Sequence, residues 1–132
     1  METNTQNRND IESRSDIEKL VNTFYEKVRS DDTIGFFFSN VVAVDWSMHL
    51  PKMYDFWENV LLHTGSYKGN PMDVHFKVNG LHPINGVHFE RWLLLFIQTI
   101  DELFEGETAE RAKVRAKGIA WVLQQKTDSI NR

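Results

Sequence analysis

Residues 16–30 read DIEKLVNTFYEKVRS. Ile17, Leu20, Val21, Phe24 and Val28 recur at steps of three and four, which sets all of them on one apolar face of a helix. Ser15 or Asp16 is placed to cap its start, and Ser30-Asp31-Asp32 with Gly35 ends it. Phe36-Phe37-Phe38 follow in a turn, and leaving all of them in water would be costly, so at least one must be buried.

The same period governs most of the remaining chain. A second helix is expected over about Trp46–Leu62, with Asp45 as its cap and with His49, Met53, Phe56 and Val60 on one face. Pro51 removes a backbone donor, so an irregular start is expected around His49–Pro51. Gly65, Gly69 and Pro71 open a loop, a short helical piece around Met72–Val78 carries His75, and Gly80, Pro83 and Gly86 close the irregular stretch. A third helix runs over about Val87–Phe104, with a stripe of Phe89, Trp92, Phe96, Ile100 and Leu103, and Gly106 breaks it. A last helix over about Thr108–Thr127 sets Ala112, Ala116, Ile119 and Leu123 on one side. Gly118 weakens that helix by roughly 1 kcal/mol against Ala, unless another helix packs closely there. No period-two strand is evident. The pattern is all-α: four main helices in two packed layers, joined by one long irregular connection.

With 132 residues the chain suits one domain, expected over 14–132, and residues 1–13 are expected to form a flexible polar tail. The hydrophobic share is 41% and the charged share 26%, as in an ordinary soluble protein. Aromatics reach 12%, with 4 Trp and 9 Phe, enough for a well-filled core or for a pocket that takes a flat apolar ligand. The net charge of −4 and the lack of a dense Lys/Arg patch argue against nucleic acid. The chain has no Cys, which excludes disulfides, thiolate metal sites and cysteine nucleophiles. No apolar leader segment opens the chain and the longest apolar run, Trp92–Ile97, is too short to span a bilayer, so a cytoplasmic protein without a membrane partner is expected.

Small helical proteins often place ligands in an irregular stretch between well-formed helices. Here it holds His63, His75, His82 and His88, with His49 just upstream. Imidazole suits metals and heme iron. No HExxH or zinc-finger spacing, no glycine-rich phosphate loop and no hydrolase motif is present. Spacing alone therefore supports a small helical protein with a His-lined pocket.

Several separated pieces go further. Phe24-Tyr25-Glu26-Lys27-Val28, Phe38 after Gly35, His49 followed by Phe56-Trp57, Tyr67-Lys68-Gly69-Asn70-Pro71 before His75, and His88-Phe89-Glu90-Arg91-Trp92-Leu93 stand in this order. Together they resemble the truncated hemoglobins, and within them the third group, over roughly residues 16–125. The double-glycine motifs of the other truncated groups are absent, in keeping with that group. The resemblance implies a truncated two-over-two globin-like helical sandwich that binds heme b (iron protoporphyrin IX). It implies His75 as the iron ligand, Tyr25, His49 and Trp92 on the gas-binding side, and Phe38 wedged against the ring. Its partners would be oxygen, nitric oxide and carbon monoxide.

Met53, Phe56, Trp57, Val78 and Phe96 are candidates for apolar walls, though as side chains they equally fill a heme-free core. Lys52 is placed either to pair with a heme propionate or to sit solvated. Tyr25 is either a donor to a bound gas or a core tyrosine, and Trp92 either a second donor or one more residue of its stripe. His63, His82 and His88 read as structural or exposed. Three functions stay open on the sequence: a heme protein that carries, stores or senses diatomic gases; a heme enzyme for nitric oxide or peroxide chemistry fed by a separate reductase; and a heme-free helical interaction module.

Overall fold

The computed structural model describes residues 8–36, 46–63 and 85–131, the last three of these for their backbone only. The described chain contains four helices and no strand: α1 (Arg14–Arg29), α2 (Trp46–Leu62), α3 (Gly86–Leu103) and α4 (Glu107–Asn131). α1 packs on α2 and α3 on α4, while α1 crosses α3 and α2 meets α4, giving a two-over-two sandwich.

The expected face of α1 is the buried one: Ile17, Leu20, Val21, Phe24 and Val28 are all in the core. They meet Trp57 and Leu61 of α2, and Phe89, Leu95, Phe96 and Ile100 of α3. α4 contributes mainly small side chains, Ala109, Ala112 and Ala116, with Leu123 beyond them. Thr99 and Thr127 are also fully buried, because each hydroxyl donates to a carbonyl one turn back, that of Leu95 at 2.7 Å and that of Leu123 at 2.9 Å.

Polar contacts lace the helix pairs together. Arg14 reaches from α1 to Asp55 (2.7 Å) and Glu58 (2.9 Å) of α2, and Tyr54 donates to Asn22. Lys27 pairs with Glu102 of α3 at 2.7 Å, and Arg111 of α4 donates to the Leu61 carbonyl at the end of α2 at 2.7 Å.

Several local expectations change. The cap of α1 is Ser13, earlier than Ser15 or Asp16. Its hydroxyl accepts from the Asp16 amide at 3.3 Å, and the Asp16 carboxylate in turn accepts from the Glu12 amide at 2.8 Å. α2 shows no irregular start. It runs unbroken through Pro51, the sixth residue of the helix, whose nitrogen can donate no bond to the preceding turn. α4 continues past Thr127 to Asn131. Around Gly118 no atom lies within 4 Å of where a Cβ would be, so no packing against another helix explains that glycine. Phe36 is half-buried against the core, whereas Phe37, Phe38 and the Asp45 cap fall outside the described residues.

The largest change is at the start of the chain. Of the expected tail, residues 8–13 are docked, and Ile11 is 1% exposed. The Asn9 carbonyl accepts from the Glu105 amide at 3.0 Å, and Arg8 pairs with Glu105 at 3.1 Å. Asp10 does more. Gly106 occupies the position just before α4, with φ +143°, and has no side chain to cap the helix. The Asp10 carboxylate supplies the cap from elsewhere in the chain, accepting from the amides of Thr108 (2.9 Å) and Ala109 (2.8 Å). A Cβ on Gly106 would lie 2.5 Å from the Asp10 carboxyl carbon, so the glycine is required twice over.

Candidate functional site

α1 carries two adjacent aromatics that face different surroundings. Phe24 points into the core and makes edge contacts with Trp92 (5.7 Å) and Phe96 (5.1 Å) of α3. Tyr25, one step round the helix, faces the start of α2. Its ring lies 5.3 Å from His49 and 5.4 Å from Trp46, edge to face with both. Burial pushes the Tyr25 phenol well above its ordinary pKa of 10.0. The hydroxyl therefore keeps its proton, and stays able to donate a hydrogen bond, throughout the neutral range.

Trp92 stacks on Phe96 with centroids 5.6 Å apart, and Trp57 of α2 stacks on the same ring at 4.7 Å. Phe96 is wholly buried by these rings and Phe24. Its place, like that of Trp57, is in the protein core, as a stiff backing for whatever lies in front. Trp92 is only half-buried.

The α2 stripe has a different character. Trp57 and Leu61 are buried, while His49, Met53, Phe56 and Val60, on the next face, are all half-buried. Of this stripe, His49 is the residue shown against the Tyr25 ring. Lys52 lies one turn after His49 and is exposed.

The expected site residues thus divide. Tyr25, His49, Trp57, Trp92 and Phe96 join one aromatic network, and Met53 and Phe56 pack at its edge. His75, Phe38 and Val78 lie outside the described residues, as does His82. His88 is structural, since its Nδ1 accepts from the Asn85 amide at 3.1 Å and completes a capping box at the start of α3. His63 is exposed just past α2 with φ 59°, where its amide closes the helix on the Asn59 carbonyl at 3.0 Å. Among the described residues no group of three or more His, Asp or Glu could hold a metal ion, and no helix is long and apolar enough to cross a membrane.

Trp46 was not singled out from the sequence, yet it touches both Tyr25 and His49 (5.6 Å). Its signal was an aromatic residue one turn before a histidine on the same helix. Asp31 also escaped notice. Its side chain is 3% exposed, and it accepts from Arg91 of α3 at 2.6 Å and from the amides of Thr33 (2.9 Å) and Ile34 (3.1 Å). These contacts fix the end of α1 against α3, beyond Tyr25 on one side and beside Trp92 on the other.

Comparison with known proteins places this arrangement. The sequence model of the family described as Bacterial-like globin matches residues 9–122. The group 3 truncated hemoglobin of Campylobacter jejuni is 34% identical over 111 residues, which cover 82% of this chain and 85% of that protein. The crystal structure of group III truncated hemoglobin from Campylobacter jejuni superposes with a TM-score of 0.76 at 32% identity, covering 96% of this chain and 95% of that one.

Proposed function

Since this chain belongs to the bacterial-like globins, and among them to the group III truncated hemoglobins, a family of heme proteins, we propose that it holds heme b through His75 and binds diatomic gases beside Tyr25 and Trp92. The observation that carries this reading is the half-buried stripe His49–Met53–Phe56–Val60, which meets the half-buried Tyr25 ring through His49. A flat apolar group laid on that stripe would remove its exposed area from water, and the phenol would be the polar group waiting above it.

Heme, when bound, supplies an iron that takes a diatomic gas. The chain supplies the rest. His75 would offer a neutral imidazole, which needs a hydrogen bond from its other nitrogen to aim it. Tyr25 would donate a hydrogen bond to the gas, and its raised pKa keeps the hydroxyl protonated. Trp92 offers its indole N–H as a second donor. Met53 and Phe56, with Trp57 and Phe96 in the core beside them, would supply apolar wall, and Phe38 and Val78 are proposed to complete it. Lys52, on the exposed side of α2, is the cation for a propionate at the rim. His49, edge to face with the Tyr25 ring, would lie beside the bound gas. Oxygen, nitric oxide and carbon monoxide fit such a pocket, and any catalytic turnover would draw electrons from a separate reductase. A cytoplasmic carrier, store or sensor is the simplest role.

Titration with hemin tests the reading. The wild-type chain should develop an intense Soret band with one equivalent, and His75→Ala should weaken or abolish heme retention. A chain that stays colourless, or a variant that binds hemin as the wild type does, would remove the heme site or its iron ligand respectively.

A further inference from the structure

We propose that Arg29 and Trp46 form a clamp that positions His49 and so sets the rate at which a diatomic gas enters the pocket; this rests on the heme reading above. Arg29 is the last residue of α1 and Trp46 the first of α2. The exposed Arg29 guanidinium sits 4.7 Å over the centroid of the Trp46 ring. Beneath it, Trp46, His49 and Tyr25 make a closed triangle of edge-to-face rings, with sides of 5.6, 5.3 and 5.4 Å and interplanar angles of 79°, 79° and 61°. A line of contacts therefore runs from a solvent-exposed cation, through the half-buried rings of Trp46 and His49, to the half-buried ring of Tyr25.

The geometry restrains His49 in a definite way. It lies one helical turn after Trp46, so the two side chains are neighbours on one face. A histidine on a helix has few staggered rotamers, and leaving the present one breaks its ring contacts with both Trp46 and Tyr25. If Trp46 followed it outward, its contact with the guanidinium above would be lost. Arg29 thus acts through Trp46 on His49, as a positioning residue with no contact to the gas. The attraction between an exposed guanidinium and an indole face corresponds to about a two- to fivefold change in a population.

The test joins gas kinetics with a readout that needs no heme. After flash photolysis of the carbon monoxide form, Arg29→Gln and Trp46→Leu should each rebind gas from solution about two- to fivefold faster, with a smaller fraction recaptured before escape. Arg29→Lys restores a cation over the ring and should return the rate toward wild type. On the full chain without added heme, the His49 ring-proton NMR shifts should move away from their ring-current values in Arg29→Gln and Trp46→Leu. A normal Soret band with unchanged rebinding in both variants would overturn the clamp and leave the heme reading standing. A lowered melting temperature with unmoved rates and unmoved His49 shifts would make Arg29 merely structural. Absence of any Soret band in the wild type would instead strike the heme reading itself, and the proposal with it.

Discussion

Tyr25 shows how one position serves two environments. It follows a core residue, Phe24, and its ring closes the outer side of the aromatic network while its hydroxyl is withdrawn from water. A hydrogen bond to a charged acceptor contributes about 1.5–3 kcal/mol. Tyr25→Phe should therefore speed oxygen loss roughly tenfold to a hundredfold, and Trp92→Phe should also speed it. Stopped-flow displacement by carbon monoxide measures both, and unchanged off-rates would take these side chains out of gas binding. Tyr25 was legible because it belongs to a contiguous run on a clearly periodic helix. Trp46 was not, since what gives it meaning is Arg29, seventeen positions earlier and on another helix. Ile11 was hidden for a similar reason. An isolated apolar residue in a polar stretch carries no period, and its burial in the core follows only once its neighbours Asn9 and Asp10 are tied to the α3–α4 junction.

At the scale of the helix, periodicity located all four elements, and their ends were settled by side chains the pattern leaves ambiguous. Ser13-Arg14-Ser15-Asp16 holds several competent caps, and the choice of Ser13 rests on the reciprocal bond from Asp16 back to the Glu12 amide. The buried face of α4 followed the expected small residues, and its length did not, because the continuation past Thr127 depends on a buried threonine whose hydroxyl is satisfied within the helix. Gly118 remains the weak point of α4. It is exposed, has no neighbour within 4 Å of a Cβ position, and adopts no left-handed conformation. Gly118→Ala should accordingly raise stability by about 1 kcal/mol, read as a higher urea midpoint with an unchanged slope. A destabilised variant would mean that α4 packs there against something the helix pairs do not include.

For the molecule as a whole, two carboxylates hold distant parts of the chain together and make the fold sensitive to acid. Partial burial works against ionisation of Asp10, but the amides of Thr108, Ile11 and Ala109 outweigh it and hold the pKa below the ordinary 3.8. For Asp31 burial again opposes ionisation, and the Arg91 guanidinium with the Ile34 and Thr33 amides wins. Both groups keep their charge to lower pH when folded than when unfolded. Their contribution is thus fully present above the unfolded value and is lost as pH falls from roughly 5 through the lowered folded values. Asp10→Asn keeps an acceptor for the α4 amides and removes the titration. It should cost some stability at pH 7 and flatten the acid limb of a urea-midpoint profile; parallel profiles for variant and wild type would discount Asp10 as a source of the acid sensitivity. The two-layer architecture itself was legible, since each stripe demanded a partner. The sequence also picked out Tyr25, His49 and Trp92, which the fold joins in one aromatic network, whereas the ties through Asp10 and Asp31 were not legible, because a lone carboxylate in a polar stretch looks the same whether solvated or engaged. The Asp10 bonds span separations of 98 and 99 residues. During synthesis, then, Asp10 must wait for residues 108 and 109 to emerge before it meets the amides it caps, and until then the start of α4 lacks its cap.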